Sequence, residues 1–95
     1  MLSGRIGAGD ILGVQSNPVH ADVKQSGLYD QEGRRVSVNE QVDERTLHEY
    51  YLRNWEIAIR RADPGSVMCA FSKNNGVNAC DTHSGWGASS RLRAL

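Results

Sequence analysis

Residues 41–80 read QVDERTLHEYYLRNWEIAIRRADPGSVMCAFSKNNGVNAC, and the fold of the chain is decided there. Asp43 has the short acceptor side chain of a helix N-cap, and Glu44 after it suits the positive end of a helix dipole. Leu47, Tyr51, Trp55, Ala58, Ile59 and Ala62 recur at helical spacing and predict one buried stripe. Arg53, Glu56, Arg60 and Arg61 fall mostly off that stripe. Asp63-Pro64-Gly65 stops the helix, because proline cannot continue it and glycine accepts the reversed backbone that follows. Residues 66–71 (SVMCAF) are short and apolar, as a buried parallel strand is. Asn74-Asn75-Gly76 then predicts a turn.

Outward from this stretch the signals weaken. Ser3 is a candidate cap for a short helix running toward Gly13, with Ile6, Ile11 and Leu12 as its apolar positions. Asn17-Pro18 marks a break. Residues 19–24 (VHADVK) alternate apolar and polar side chains, the period of a half-buried strand. Residues 25–35 are polar and predict a loop; Val36, Val38 and Val42 give a weak extended segment. After Cys80 the periodicity fails until a short helix predicted over 89–95. The order helix, strand, loop, helix, strand, loop predicts parallel βα units. The fold class expected is therefore α/β: a partial (β/α) barrel-like fragment of about two to three βα units, residues 1–95 forming one segment. A complete barrel needs about 250 residues, and its chemistry sits on loops at the C-terminal ends of the strands. Residues 24–35 and 72–83 would occupy that face.

Bulk properties narrow the function. The 95 residues carry eleven basic and eleven acidic side chains, a formal charge of zero, so no electrostatic case exists for nucleic acid or an anionic membrane as partner. Apolar residues make up 39% and ten positions are glycine, which points to a fragment or a self-associating unit before a robust monomer. The first residues lack the apolar run of a signal peptide, and no run approaches membrane-spanning length, so a cytoplasmic location is the default expectation. Two cysteines are too few for a disulfide scaffold. Cys69 reads as a small core residue, and Cys80 as a residue that could pair with it across the loop. Cys80-x-x-His83 is one ligand pair without a second, so no metal is expected, and no cofactor either. Gly7-x-Gly9 lacks the third glycine of a dinucleotide fold. Glu32 and Glu40 are loop carboxylates with no partner at a definable spacing.

Taken in order, GRIGAGDILGVQS, VK with DQEGRR after it, SVNEQVDERTLHEYYL and PGSVMCAFSKNNGVNAC resemble the catalytic barrel domain of family 3 glycoside hydrolases, the β-glucosidase family. The resemblance runs from about Gly4 to Cys80, and SGWGASSRLRAL is similar to the family's segment around its nucleophile. It implies retaining hydrolysis of terminal β-D-glucosyl residues, in which one carboxylate attacks the anomeric carbon while a second carboxyl, about 5 to 5.5 Å away, acts as acid and then base. Carried over by position, the resemblance implies that Lys24, Gln25, Arg35, Met68, Phe71 and Trp86 line the sugar site. Lysine and arginine suit it because each donates several hydrogen bonds to sugar hydroxyls.

The departures from the family matter equally. Gln25 stands for a histidine and Phe71 for a tyrosine. Gly85 stands where the family has its nucleophilic aspartate, so no catalytic residue is assigned. About one helix and the start of a strand are also absent between His83 and Ser84 by comparison with the family. The expected function is thus that of a β-glucosidase-like segment, acting on a β-glucoside or short oligosaccharide with weak or no independent activity. The alternatives are a non-catalytic carbohydrate-binding or packing remnant, or a piece active only on assembly.

Overall fold

Residues 1–81 are described in the structure, a computed structural model. From Glu44 to Ala62 the chain is helical throughout but not uniformly wound. A first turn, α2 (Glu44–Thr46), passes into a π-helical segment (Leu47–Leu52) and then into α3 (Arg53–Ala62). Asp43 caps the start as expected: its Oδ2 accepts from the Thr46 amide at 3.0 Å and its Oδ1 from the Thr46 hydroxyl at 2.7 Å. Asp63 ends the helix in the left-handed region, with φ 45°, its amide donating to the Ile59 carbonyl. The wider π turn splits the single stripe expected over 47–62 in two. Leu47 buries against Leu28 with Val42, Tyr51 and Leu52 around them, whereas Ala58 and Ala62 join Ala8, Ile11 and Ala21 in a separate cluster.

The first helix is longer than its sequence signals suggested. α1 runs from Leu2 to Gln15 with Met1 at its N-cap position and no side-chain cap, so Ser3 does not serve that role. The N-terminal ammonium donates to Asn54 Oδ1 instead, at 2.9 Å. α1 packs along α3 through small residues: a Cβ at Gly4 would lie 2.8 Å from the Asn54 carbonyl oxygen. That approach leaves no room for a side chain at Gly4.

β1 (Asp22–Ser26) and β3 (Ser66–Cys69) are parallel neighbours, with α3 in the crossover between them. β1 starts three residues later than the alternation over 19–24 suggested, leaving Val19 and His20 outside it and exposed. The register puts Lys24 beside Met68 and Ser26 beside Cys69, with an irregularity at Gln25, whose peptide bond to Lys24 is cis. β3 stops at Cys69, so Phe71 lies beyond the strand rather than within it. A second, three-stranded sheet has the order β2 (Asn39–Glu40), β4 (Lys73–Asn74), β5 (Val77–Asn78). Asn75 and Gly76, with φ 49° and 86°, form the two-residue turn of the β4–β5 hairpin.

One side chain joins these parts at the base of the parallel sheet. Gln15, the last residue of α1, donates from Nε2 to the carbonyls of Ala62 and Asp63, both at 3.3 Å. Its Oε1 accepts from the amides of Ala21 at 3.2 Å and Gly65 at 2.9 Å. The end of α1, the end of α3 and the approaches to both strands are thereby held by one amide. Replacing Gln15 by Ala should cost about 2 kcal/mol, since several backbone groups lose their partner in a partly buried place. Urea unfolding reads this; an unchanged midpoint would refute the role.

Cys69 and Cys80 form a disulfide with their Cα atoms 5.5 Å apart. The bond ties the end of β3 to the residues after β5. Closing a loop of this size stabilises a fold by about 2–3 kcal/mol. The Cys69→Ala/Cys80→Ala double variant should therefore melt lower than the oxidised chain, and a reductant should lower the melting temperature of the parent but not of the variant.

Candidate functional site

Among the described residues, those selected by resemblance lie on β1 and β3 or in the loops that follow them. Gly27 (φ 119°) ends β1 where a Cβ would sit 2.9 Å from Asn74 Nδ2 and 3.2 Å from the Ala79 Cβ. Next to it, Leu28 is locked through its backbone. Its amide donates to Asn74 Oδ1 at 3.3 Å, and its carbonyl accepts from the fully buried Ser72 hydroxyl at 2.6 Å. These two bonds bind the loop after β1 to the segment after β3, which buries two polar side chains at a place few sequence rules would select.

From this lock the 29–35 segment curls back over the strand ends. The Tyr29 hydroxyl donates to Glu32 Oε2 at 2.6 Å, and Arg35 Nη1 donates to Glu32 Oε1 at 2.9 Å. The Arg35 guanidinium carbon stands 5.5 Å from the centre of the Phe71 ring, in cation–π contact. Phe71 remains half-exposed, at 49%. Lys24 and Met68 are side by side in the register of the parallel strands, and Gln25 is half-buried between Lys24 and Ser26. Five of the six expected positions, Lys24, Gln25, Arg35, Met68 and Phe71, thus lie on β1, β3 or the loops that follow them. Trp86, and Gly85 at the expected nucleophile position, lie outside the described residues.

The electrostatics of this cluster are those of a held ion pair. The Tyr29 hydroxyl, foremost, and the charges of Arg35 and Lys24 keep the Glu32 carboxyl below the usual glutamate value, against a rise from desolvation. Tyr29 and then Glu32 raise Arg35 in turn. Glu32 therefore does have partners, contrary to the expectation from its loop position: Tyr29 and Arg35 stand three residues to either side of it. Only a helical or tightly turned backbone brings that spacing together, and the polar composition of 25–35 gave no sign of one. Glu40, also expected to be unpartnered, accepts from the Asp30 amide at 3.2 Å.

Asp30 in turn accepts a hydrogen bond from the Tyr51 hydroxyl on the π-helical segment. Tyr51 is thus a half-buried link between helix and loop, not purely a core residue. Among the described residues no cluster of His, Cys, Asp and Glu could hold a metal ion, and no helix is long and apolar enough to cross a membrane. An open depression lined by Asn39, Val42, Asp43, Asn75 and Gly76, among others, includes none of the positions selected by resemblance.

The bond to Asp30 pushes the Tyr51 phenol up to about 12 from an ordinary value of 10.0. A raised folded-state value favours the protonated form, so the stabilisation is complete below pH 10 and is lost as pH rises through about 12. Ultraviolet titration should show one of the tyrosines ionising last, and Tyr51→Phe should remove that late step. A Tyr51→Phe spectrum that retains it would contradict the assignment.

No protein-family model matches the chain. Thermostable β-glucosidase B of Acetivibrio thermocellus is 47% identical over 75 residues, 79% of this chain and 10% of that protein. The solved structure of β-glucosidase 3B from Thermotoga neapolitana, in complex with glucose, superposes with a TM-score of 0.80 at 42% identity, over 82% of this chain and 11% of that one. The β-glucosidase of Kluyveromyces marxianus, also solved with glucose, gives a TM-score of 0.77 at 34% identity, over 80% of this chain and 9% of the other. The chain thus spans about a tenth of the length of the relatives it matches. Sequence and backbone each agree over about four-fifths of the chain, and this relates it, as a segment, to glycoside hydrolase family 3, the family of those β-glucosidases.

Proposed function

We propose that the chain supplies part of the sugar-binding wall of a β-glucosidase-type site, and that alone it hydrolyses β-glucosides weakly or not at all. The observation that carries this reading is the placement of Lys24 beside Met68, with Arg35 over Phe71, at the C-terminal ends of two parallel strands. If the two parallel strands and the helix between them belong to a (β/α) barrel in the whole enzyme, the wall of its sugar site belongs at that end.

The chemistry of these side chains fits one pyranose. Lys24 and Arg35 offer donors to hydroxyls, Gln25 both donates and accepts, and Met68 and Phe71 present apolar surface to a sugar face. Phe71 carries no hydroxyl, so it provides packing only. Trp86 completes the set by resemblance. A terminal β-D-glucosyl residue, on a short oligosaccharide or another β-glucoside, is the substrate class.

Cleavage is a separate requirement. Retaining hydrolysis needs a nucleophilic carboxylate, and Gly85 has no side chain at the position where the family's aspartate is expected. The second reading, binding without cleavage, is favoured by that one substitution. A third, activity on assembly with further copies or segments, is suggested by the outer edges of β1 and β3, which pair with no other strand among the described residues.

The test is p-nitrophenyl β-D-glucoside hydrolysis by the full chain beside its Gly85→Asp variant, with a parallel glucose titration followed by NMR. The parent should release no nitrophenol above buffer yet shift resonances near Lys24 and Arg35. Turnover gained by Gly85→Asp would support the nucleophile position. A flat glucose titration at high millimolar concentration would overturn the sugar-wall reading, and strong parental turnover would overturn the inactivity.

A further inference from the structure

The Arg35 side chain has a problem of orientation. It is long, about half exposed, and on a loop, so its rotamers are many and their restriction costs entropy. An exposed ion pair adds little to stability and would not by itself select one arrangement. Yet the guanidinium is engaged from two directions at once, by the Glu32 carboxylate at 2.9 Å and by the Phe71 ring at 5.5 Å.

The restraint can be traced back to the interior. Ser72 and Asn74, both buried, fix the backbone of Leu28. Leu28 is itself buried against Leu47. Tyr29 follows directly and is half-buried, so its ring leaves a fixed point of the chain. Its hydroxyl takes one Glu32 oxygen at 2.6 Å, which leaves the other oxygen aimed at Arg35. A carboxylate held at one oxygen presents the second in a defined direction, and charge-assisted hydrogen bonds are the stronger ones. Phe71 belongs to the same fixed body, since Ser72 after it is the residue that locks Leu28.

We propose that Tyr29 and Glu32 are positioning residues that hold the Arg35 guanidinium over Phe71, ready to donate to a sugar hydroxyl. The sugar part of this statement rests on the function proposed above; the positioning part does not. Neither Tyr29 nor Glu32 needs to touch the ligand. Their contribution is to remove rotamer freedom from Arg35 before the sugar arrives, so their loss should weaken binding without loosening the fold.

The experiment uses the full chain with isotope-labelled arginine. The Arg35 side-chain N–H signal is followed in the parent, Tyr29→Phe, Glu32→Ala and Glu32→Gln, each then titrated with methyl β-D-glucopyranoside. Tyr29→Phe keeps the ring and removes only the hydroxyl. It should move the Arg35 signal toward that of a free arginine and weaken sugar binding by about three- to ten-fold, the worth of one ordinary hydrogen bond. Its thermal midpoint should not change. Glu32→Ala should do the same more strongly, and Glu32→Gln, which keeps an acceptor, should recover part of the loss. An Arg35 signal identical in all four proteins overturns the positioning, whether or not the sugar binds. An Arg35 signal released by Tyr29→Phe in a parent chain that binds no sugar upholds the positioning and overturns the sugar-wall reading alone.

Discussion

The carboxamide of Gln15 is the interaction on which the arrangement of this chain depends. A parallel strand pair needs a crossover, and a crossover needs the helix, its exit and the entry of the next strand to be aligned at the base of the sheet. Here the alignment is done by two acceptor contacts and two donor contacts on one side chain. A longer hydrophobic core could have imposed the same order by packing. This chain has mostly alanines there: Ala8, Ala21, Ala58 and Ala62, with Ile11 the one large buried member of that cluster. Small residues bring α1 close to α3 but bury little apolar area, so directional polar bonds carry more of the specification.

The opposite end of the sheet uses the same device with different residues. Leu28 is apolar and buried, but the side chains that hold it in place are a serine and an asparagine acting on its backbone. The second sheet is joined in a similar way. Asn75 grips Val42 by both its amide and its carbonyl, each at 2.9 Å, while β2 and β4 pair through their backbones. The loop after β1, the helix entry and the hairpin after β3 therefore form one body at the strand ends. That body is what gives Arg35 and Phe71 a fixed relation. Its one visible cost is Asn74 Nδ2, buried without a hydrogen-bond partner among the described residues.

Local chemistry was legible from the residues, and long-range pairing was not. The Asp43 cap, the Asp63-Pro64-Gly65 stop and the Asn75-Gly76 turn each depend on neighbours in the chain, and each occurs where its residues suggest. The π-helical segment was invisible because its residues, Leu47–Leu52, keep helical spacing; only the placing of Leu47, Tyr51 and Leu52 in one cluster and of Ala58 and Ala62 in another betrays the wider turn. Gln15 gave no signal either, since a glutamine near a helix end is ordinarily a solvated side chain. The cysteines illustrate the limit well: residues 69 and 80 allowed both a thiol and a disulfide, and the hairpin between them, which brings their Cα atoms to 5.5 Å, decides it. Resemblance selected Lys24, Arg35, Met68 and Phe71, which the fold puts on the parallel strands or in the loops after them. It missed Tyr29 and Glu32, whose roles arise from a loop conformation that polar composition does not encode.

The Asn75-Gly76 turn has a consequence for the lifetime of the molecule. An asparagine followed by glycine is the pair most given to deamidation, because the glycine amide can close on the unhindered side-chain carbonyl to form a succinimide. In this chain both reacting groups are already occupied. The Asn75 carboxamide is bound at each end by Val42, and the Gly76 amide donates to Asn39 Oδ1 at 2.8 Å. The turn that organises the hairpin is thus chemically protected by the contacts it organises. Ageing at Asn75 becomes a property of the opened chain: each excursion that releases Val42 exposes the succinimide route, and an aspartate formed there can no longer donate to the Val42 carbonyl.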